Sequence, residues 1–127
     1  MYASALIQYL SSKPEAILEY PFGPEAEVFK ISGKMFALVM HRDNVTRVNL
    51  KCDPLEAIQL RDIFDGVTPG YHMNKKHWNT VLVNDSIPSG EIERMIDASY
   101  QLVVKSLTKK LRLGLEARFG AAALYPE

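Results

Sequence analysis

Apolar residues recur along this chain with two periods, and each period predicts a type of secondary structure. Near the amino terminus Ala3, Leu6, Ile7 and Leu10 have helical spacing, so a first helix is predicted over residues 2–10. The most regular helical pattern begins at Ser89, a predicted N-cap, and continues for about four turns. Its apolar stripe consists of Ile92, Met95, Ile96, Ser99, Tyr100, Val103 and Leu107.

Three segments before residue 53 have the composition and alternation of β-strands. Residues 28–31 and 35–40 flank Ser32-Gly33, a two-residue connection typical of a hairpin. Asp43-Asn44 supplies a second turn before residues 45–52. Together these strands predict an antiparallel meander with one solvated face. In the third strand the polar, basic face carries Arg47, Asn49 and Lys51.

A second helix and a further strand are predicted in the middle of the chain. Asp53 as N-cap, Pro54 at the first helical position and Glu56 two residues later predict a helix over residues 54–64. Residues 78–83 alternate as a strand, with Trp78 expected in the core. The predicted fold is therefore a single α+β domain, an antiparallel sheet packed with helices in the order α-β-β-β-α-β(β)-α.

Composition sets limits on the environment and the partners. With 127 residues, 47% of them hydrophobic, the chain is long enough to bury the core of one domain. One cysteine cannot form an internal disulfide, which favours a reducing cytoplasm. The apolar runs are too short to span a membrane. Fifteen basic and fifteen acidic residues give zero net charge, but residues 28–52 and 105–118 each carry a net charge of +4.

The residue spacings argue against a metal centre or a catalytic site. His72 and His77 are five residues apart between a loop and a strand, His41 is distant, and no HExxH or CxxC pattern occurs. Cys52 faces the predicted core, where a lone thiol is usually a small hydrophobe. There is no GxGxxG or Walker-type loop for a nucleotide. We expect no catalytic residue, no metal and no cofactor.

Several segments, in order along the chain, resemble the MmcQ/YjbR family, whose fold is similar to that of CyaY and of secretion chaperones. The matching segments are YPFG (20–23), VFKI (28–31), GKMFA (33–37), VNLKCDP (48–54), PGYHMNKKHWN (69–79), SY (99–100) and LVV (102–104). The resemblance covers residues 1–108, which are expected to form the family domain. Residues 109–127 are expected to be an extension, partly helical or frayed.

The resemblance implies a "double-wing" domain proposed to bind DNA, and no established enzyme activity. A cationic groove on the sheet and the segment 69–79 would contact phosphates, with histidines and an asparagine offering hydrogen bonds. The candidate nucleic-acid-binding residues are Lys30, Lys34, Arg47, Lys51, His72, Asn74, Lys75, Lys76 and His77.

Other interpretations of these residues stay open. The lysines are also what the solvated face of a half-buried sheet would carry. One alternative function is a protein-interaction or chaperone-like adaptor that uses the sheet or the long helix. Another is a pocket for an anionic metabolite at His72, Lys75 and Lys51. No membrane partner is expected, and because the sequence specifies no oligomer, a monomer is the default expectation.

Overall fold

A six-stranded antiparallel sheet is the centre of the fold. The computed structural model describes residues 1–126. The strands are β1 (Ile17–Glu19), β2 (Ala26–Ile31), β3 (Lys34–Arg42), β4 (Val45–Lys51), β5 (Val67–Pro69) and β6 (Trp78–Leu82). Their order across the sheet is β1-β2-β3-β4-β6-β5. Both edges are therefore formed by three-residue strands.

The helices pack on one face of this sheet, here called the inner face. They are α1 (Ala3–Ser11), α2 (Pro54–Ile63), α3 (Ser89–Ser106), α4 (Lys109–Phe119) and α5 (Ala121–Leu124). One core joins them to the strands, with Leu10, Phe29, Val48 and Tyr100 almost fully buried. This arrangement confirms the predicted α+β class. None of the helices in residues 1–126 combines the length and apolar character needed to cross a bilayer.

Short sequence signals correctly located the turns and one helix start. The backbone φ angles are positive at Ser32 and Gly33, and again at Asp43 and Asn44, as in the tight turns favoured between antiparallel strands. At the start of α2 the Asp53 carboxylate accepts hydrogen bonds from the backbone N–H groups of residues 55 and 56. This side chain satisfies two donors that the first helical turn leaves unpaired.

Two details differ from the sequence-based expectations, and a third shows which part of the extension is helical. Residues 17–19 form β1, an edge strand too short to leave a periodic signal. The N-cap of α3 is Pro88, and Ser89 is the first helical residue. Residues 109–119 form a separate helix, capped by the Thr108 hydroxyl. Leu115 and Leu124 pack into the same core as the strands. The division of the chain into a family domain and an extension after residue 108 stays a prediction.

Trp78 lies on the opposite side of the sheet from the predicted one. The alternation within β6 was read correctly, because Trp78 and Thr80 do share a face. That face is the outer one, away from the helices, and Trp78 is only partly buried. The core face of β6 is formed by Asn79 and Val81 instead. The prediction that Trp78 belongs to the core is therefore wrong.

A β-bulge places the Ser99 hydroxyl between two strands. The pairing of β2 with β3 shifts register between Phe29 and Lys30, so Phe36 has no partner in β2. The regular pairing of β3 with β4 also ends at Ala37. Ser99 of α3 fills the gap: its Oγ donates to Phe36 O at 2.7 Å and accepts from Lys51 N at 2.9 Å. The Ser99 hydroxyl thus takes the place of a direct backbone hydrogen bond between β3 and β4.

Replacing Ser99 with alanine should lower the free energy of unfolding by about 1–2 kcal/mol, because two backbone groups lose their only buried partner. Chemical denaturation measures this change. Ser106→Ala is the matched control, since this serine is exposed on the same helix and its loss should cost less than about 0.5 kcal/mol. Equal effects for the two variants would contradict a bridging role for Ser99.

Candidate nucleic-acid interface

The outer face of the sheet carries three rows of side chains that run across the strands. The strand registers place Ala26, Met40, Arg47 and Leu82 in one row, here the hairpin row, near the β3–β4 turn. The middle row contains Val28, Leu38, Asn49 and Thr80. The far row contains Lys51, which pairs with Trp78, and also Lys30, which lies two residues beyond Val28 on the same face of β2. Arg47 and Lys51 are therefore roughly 13 Å apart along β4, at 3.3 Å per residue.

Residues 70–77, here called the crossing segment, are anchored on the middle row. Tyr71 N donates to Thr80 Oγ1 at 2.8 Å, and Asn49 Nδ2 donates to Tyr71 O at 3.1 Å. The Thr80 hydroxyl in turn donates to Asn49 Oδ1 at 2.6 Å. These bonds explain how Asn49 and Thr80 can be buried on the polar face of the sheet, since a buried polar group must be paired.

Gly70 lets the crossing segment approach the sheet closely. A Cβ atom at this position would lie 2.8 Å from Trp78 Cβ and 2.9 Å from Trp78 O. The glycine is therefore required by space, and it is not among the residues with positive φ. His72, in contrast, has a φ of 59°, and its ring lies 4.0 Å from the ring of Tyr71. The backbone here is fixed in a conformation that few residues adopt readily.

Arg61 of α2 holds the other end of the crossing segment. Its Nε donates to Asn79 Oδ1 at 2.7 Å, and Nη2 donates to Lys75 O and to Trp78 O. The Asn79 amide also donates to Ala57 O within α2. Sequence reasoning missed Arg61 as a positioning residue, because nothing in α2 signals a partner 14 to 18 positions later.

The structure separates the nine predicted contact residues into groups. Arg47 and His72 lie together at the hairpin row, whereas Lys51 lies in the far row beside Trp78. Lys30 is in the far row too, but its Nζ forms an ion pair with Glu19 at 2.8 Å. Lys34 is separated from both, since its Nζ donates to Ser106 O at the end of α3. The crossing segment carries the remaining four, Asn74, Lys75, Lys76 and His77.

Within the crossing segment, hydrogen bonds fix the direction of the chain, and one of them involves a lysine charge, since Lys75 Nζ donates to Gly70 O at 3.5 Å. Asn74 Oδ1 accepts from Lys76 N at 2.9 Å, which forms a local turn. Lys75 and Lys76 are exposed, and His77 is partly buried. Asn74 thus shapes the turn that presents the two lysines. The proposed metabolite set of His72, Lys75 and Lys51 is spread over the two ends of the outer face.

A cleft of about 270 Å³ opens over the hairpin row. Its walls include Phe22 from the β1–β2 loop and Tyr71 from the crossing segment, and Arg42 and Arg47 line it as well. Sequence reasoning missed Phe22, Arg42 and Tyr71 as residues that line this cleft. A signal was present for Phe22, because an aromatic side chain between Pro21 and Gly23-Pro24 has little helix or strand to join.

The cysteine and the histidines form no common centre. Burial, followed by the nearby Glu56 and Asp53 carboxylates, raises the pKa of the Cys52 thiol to about 11. The cavity beside Cys52 is only about 10 Å³, too small for a substrate. His41 is held elsewhere, between Glu27 and Thr46. Within residues 1–126 no three His, Cys, Asp or Glu side chains come together as a metal-binding group.

Sequence comparison identifies the family. The family model described as YjbR matches residues 11–102, well over half of the chain. The chain belongs to the YjbR family. Its relatives include the uncharacterized protein YbdF of Escherichia coli O157:H7, 42% identical over 76% of this chain and 80% of that protein. The uncharacterized protein YjbR of E. coli K12 is 37% identical over 88% of this chain and 95% of that protein.

Solved structures confirm the YjbR assignment at the level of the fold. A crystal structure of a Deinococcus radiodurans protein with a DUF419 domain has a TM-score of 0.81 and 34% identity, covering 88% of this chain and 86% of that one. A Pseudomonas syringae protein has a TM-score of 0.71 and 33% identity, covering 80% and 98%. The names of these YjbR-like proteins state no activity.

Proposed function

We propose that this YjbR-family protein binds DNA without catalysing a reaction, through its outer face and the segment 69–79. The observation that carries the proposal is the set of cations there, Arg47, Lys51, Lys75 and Lys76. None of these four forms an ion pair with any carboxylate in residues 1–126. Unpaired cations held on a fixed backbone can neutralise phosphates in place of counterions.

Rigid support of these cations strengthens the proposal. Arg47 and Lys51 project from the central strand β4, and the lysine pair stands on a segment tied down by Arg61, Asn49 and Thr80. Charged side chains on a rigid backbone lose less conformational entropy on binding than the same side chains on a flexible loop do. The zero net charge of the chain does not oppose this, because Arg47, Lys51, Lys75 and Lys76 can form a local cluster of positive charge on a neutral protein.

Reversing Arg47 and Lys51 together to glutamate should weaken DNA binding at least tenfold and reduce the slope of log affinity against log salt by about two units. Fluorescence anisotropy with labelled duplex and single-stranded DNA, from about 50 to 200 mM salt, measures both quantities. Lys109→Glu with Lys110→Glu is the control, since it makes the same change of charge on α4 and should leave binding much less affected.

Two results would contradict DNA binding by this face. The first is the absence of any anisotropy change with micromolar protein at low salt on either kind of DNA. The second is an equal loss of affinity in the α4 control, which would show that only the overall charge matters. Lys75→Glu with Lys76→Glu should reproduce the effect of the β4 pair if the crossing segment shares the interface.

A second candidate function, a protein-interaction adaptor, is favoured by one observation. Helix α2 exposes three large apolar side chains, Leu55, Ile58 and Ile63, each at least 60% accessible. Neighbouring apolar residues exposed on one helix are typical of a surface that contacts a protein. Capture of one stoichiometric protein partner, lost in Ile58→Lys and retained after nuclease treatment, would support this function, whereas retention by Ile58→Lys would count against it.

A further inference from the structure

The cleft over the hairpin row is built from aromatic and cationic side chains. Its floor includes Ala26 and Met40, and its two walls come from the β1–β2 loop and from the crossing segment. Phe22 on one wall is 72% exposed, and Tyr71 on the other is 50% exposed. Aromatic rings of this size gain free energy when they leave water, so two of them facing a small cleft indicate a site for a planar apolar group.

Both rings are carried by ordered backbone. The Tyr71 main chain is held from both sides by Thr80 and Asn49, and its ring packs against that of His72. Phe22 stands in a turn in which Gly23 has a φ of 99° and Gly23 N donates to Tyr20 O. The backbone that carries each ring is therefore in place before any ligand arrives, which lowers the entropy cost of binding.

The charges that line the cleft indicate which chemical group is attached to the planar group of the ligand. Arg42 and Arg47 both line it and form no ion pair within residues 1–126, while one acidic residue, Glu25, lines its rim. Arginine beside exposed aromatic rings suits a nucleotide, since the rings stack on the base and the guanidinium binds the phosphate. At about 270 Å³ the cleft admits one such group and excludes a paired duplex.

We propose that this cleft binds one unpaired base of a single-stranded nucleic acid, stacked on Tyr71 and Phe22, with Arg47 on the adjacent phosphate. The inference deepens the proposed function and rests on it. Bases in a duplex are stacked on one another and cannot enter, so the single strand is the preferred form. Lys51 and the lysines of the crossing segment then contact phosphates further along the same strand.

The test compares labelled oligothymidine with an abasic chain of equal length, so that the number of phosphates is constant. The full-length protein should bind oligothymidine about 5- to 150-fold more tightly than the abasic chain. Phe22→Ala and Tyr71→Ala should each remove at least fivefold of that preference, and Phe22→Ala should leave abasic binding unchanged. Tyr2→Ala is the control, because Tyr2 is 84% exposed and does not line the cleft.

The outcomes separate this inference from DNA binding itself. Equal affinity for the two oligonucleotides, or full affinity in Phe22→Ala, would overturn base stacking in the cleft. If base stacking is overturned, salt-dependent binding of duplex DNA that still requires Arg47 and Lys51 would continue to support the proposed function. Since Tyr71→Ala could loosen the crossing segment, Phe22→Ala is the decisive variant. Oligouridine in place of oligothymidine shows whether the protein binds RNA or DNA more tightly. With either strand, stacking predicts that Phe22→Ala lowers the affinity by the same factor.

Discussion

Asp97→Asn is expected to lower the free energy of unfolding by about 3–5 kcal/mol, the largest effect of any single substitution considered for this protein. The carboxylate of Asp97 forms an ion pair with Lys13 and also accepts a hydrogen bond from the Tyr9 hydroxyl at 2.7 Å. Lys13 is only 8% exposed, and its Nζ lies over the rings of Tyr9 and Tyr100. Removing the carboxylate leaves an ammonium group buried among aromatic rings without its counterion.

Urea denaturation monitored by circular dichroism measures this loss. The combined variant Lys13→Met with Asp97→Leu should recover most of the stability, since it removes the charge as well as its partner. Tyr9→Phe deletes only one hydrogen bond to the same carboxylate and should cost about 1 kcal/mol. If Asp97→Asn costs no more than Tyr9→Phe does, then Lys13 reaches solvent and the ion pair contributes little.

Arg61→Met should cost about 2–3 kcal/mol and release the crossing segment, because hydrogen bonds from a charged donor are worth more than neutral ones. The methionine keeps the apolar stem of the side chain but leaves Asn79 Oδ1 and Lys75 O without the Arg61 donor, while Trp78 O keeps its hydrogen bond from Gly70 N. Hydrogen exchange of residues 70–78 should become faster than exchange in β3. DNA affinity should fall as well, although Arg61 itself is not among the proposed contacts.

Arg94→Met is the matched control for this substitution. Arg94 is exposed on α3 and, within residues 1–126, pairs with Glu91 alone, so its loss should change stability by less than about 0.5 kcal/mol. Unchanged exchange rates at residues 70–78 in Arg61→Met would show that Gly70 and the Asn49–Thr80 pair alone position the segment.

Local signals in the sequence predicted most of the elements. The Asp53-Pro54 start of α2 and the Ser32-Gly33 turn are determined by short-range chemistry, and the structure has both. The family resemblance agreed with the order of elements read from the pattern and is confirmed by the YjbR match. β1 was missed because a three-residue edge strand exists only by pairing with β2, to which no feature of residues 17–19 points.

The candidate site was less predictable, because faces and distant partners are not encoded locally. In β6 both alternating sets contain apolar residues, so periodicity could not decide whether Trp78 or Val81 faces the helices. Lys34 and Lys51 both looked like sheet lysines, yet Lys34 Nζ bonds to the end of α3. Lys13 and Asp97 are 84 positions apart, and only the folded chain brings them together.

The two short edge strands restrict how this protein can meet its partners. Unpaired strand edges are where chains add further strands, and here each edge offers three residues, with Pro69 lacking a backbone N–H on one of them. Extension of the sheet by a second chain is therefore disfavoured at both ends. Concentrated solutions should resist edge-to-edge aggregation. A partner is therefore expected to bind through side chains of this domain and not by adding a strand to its sheet.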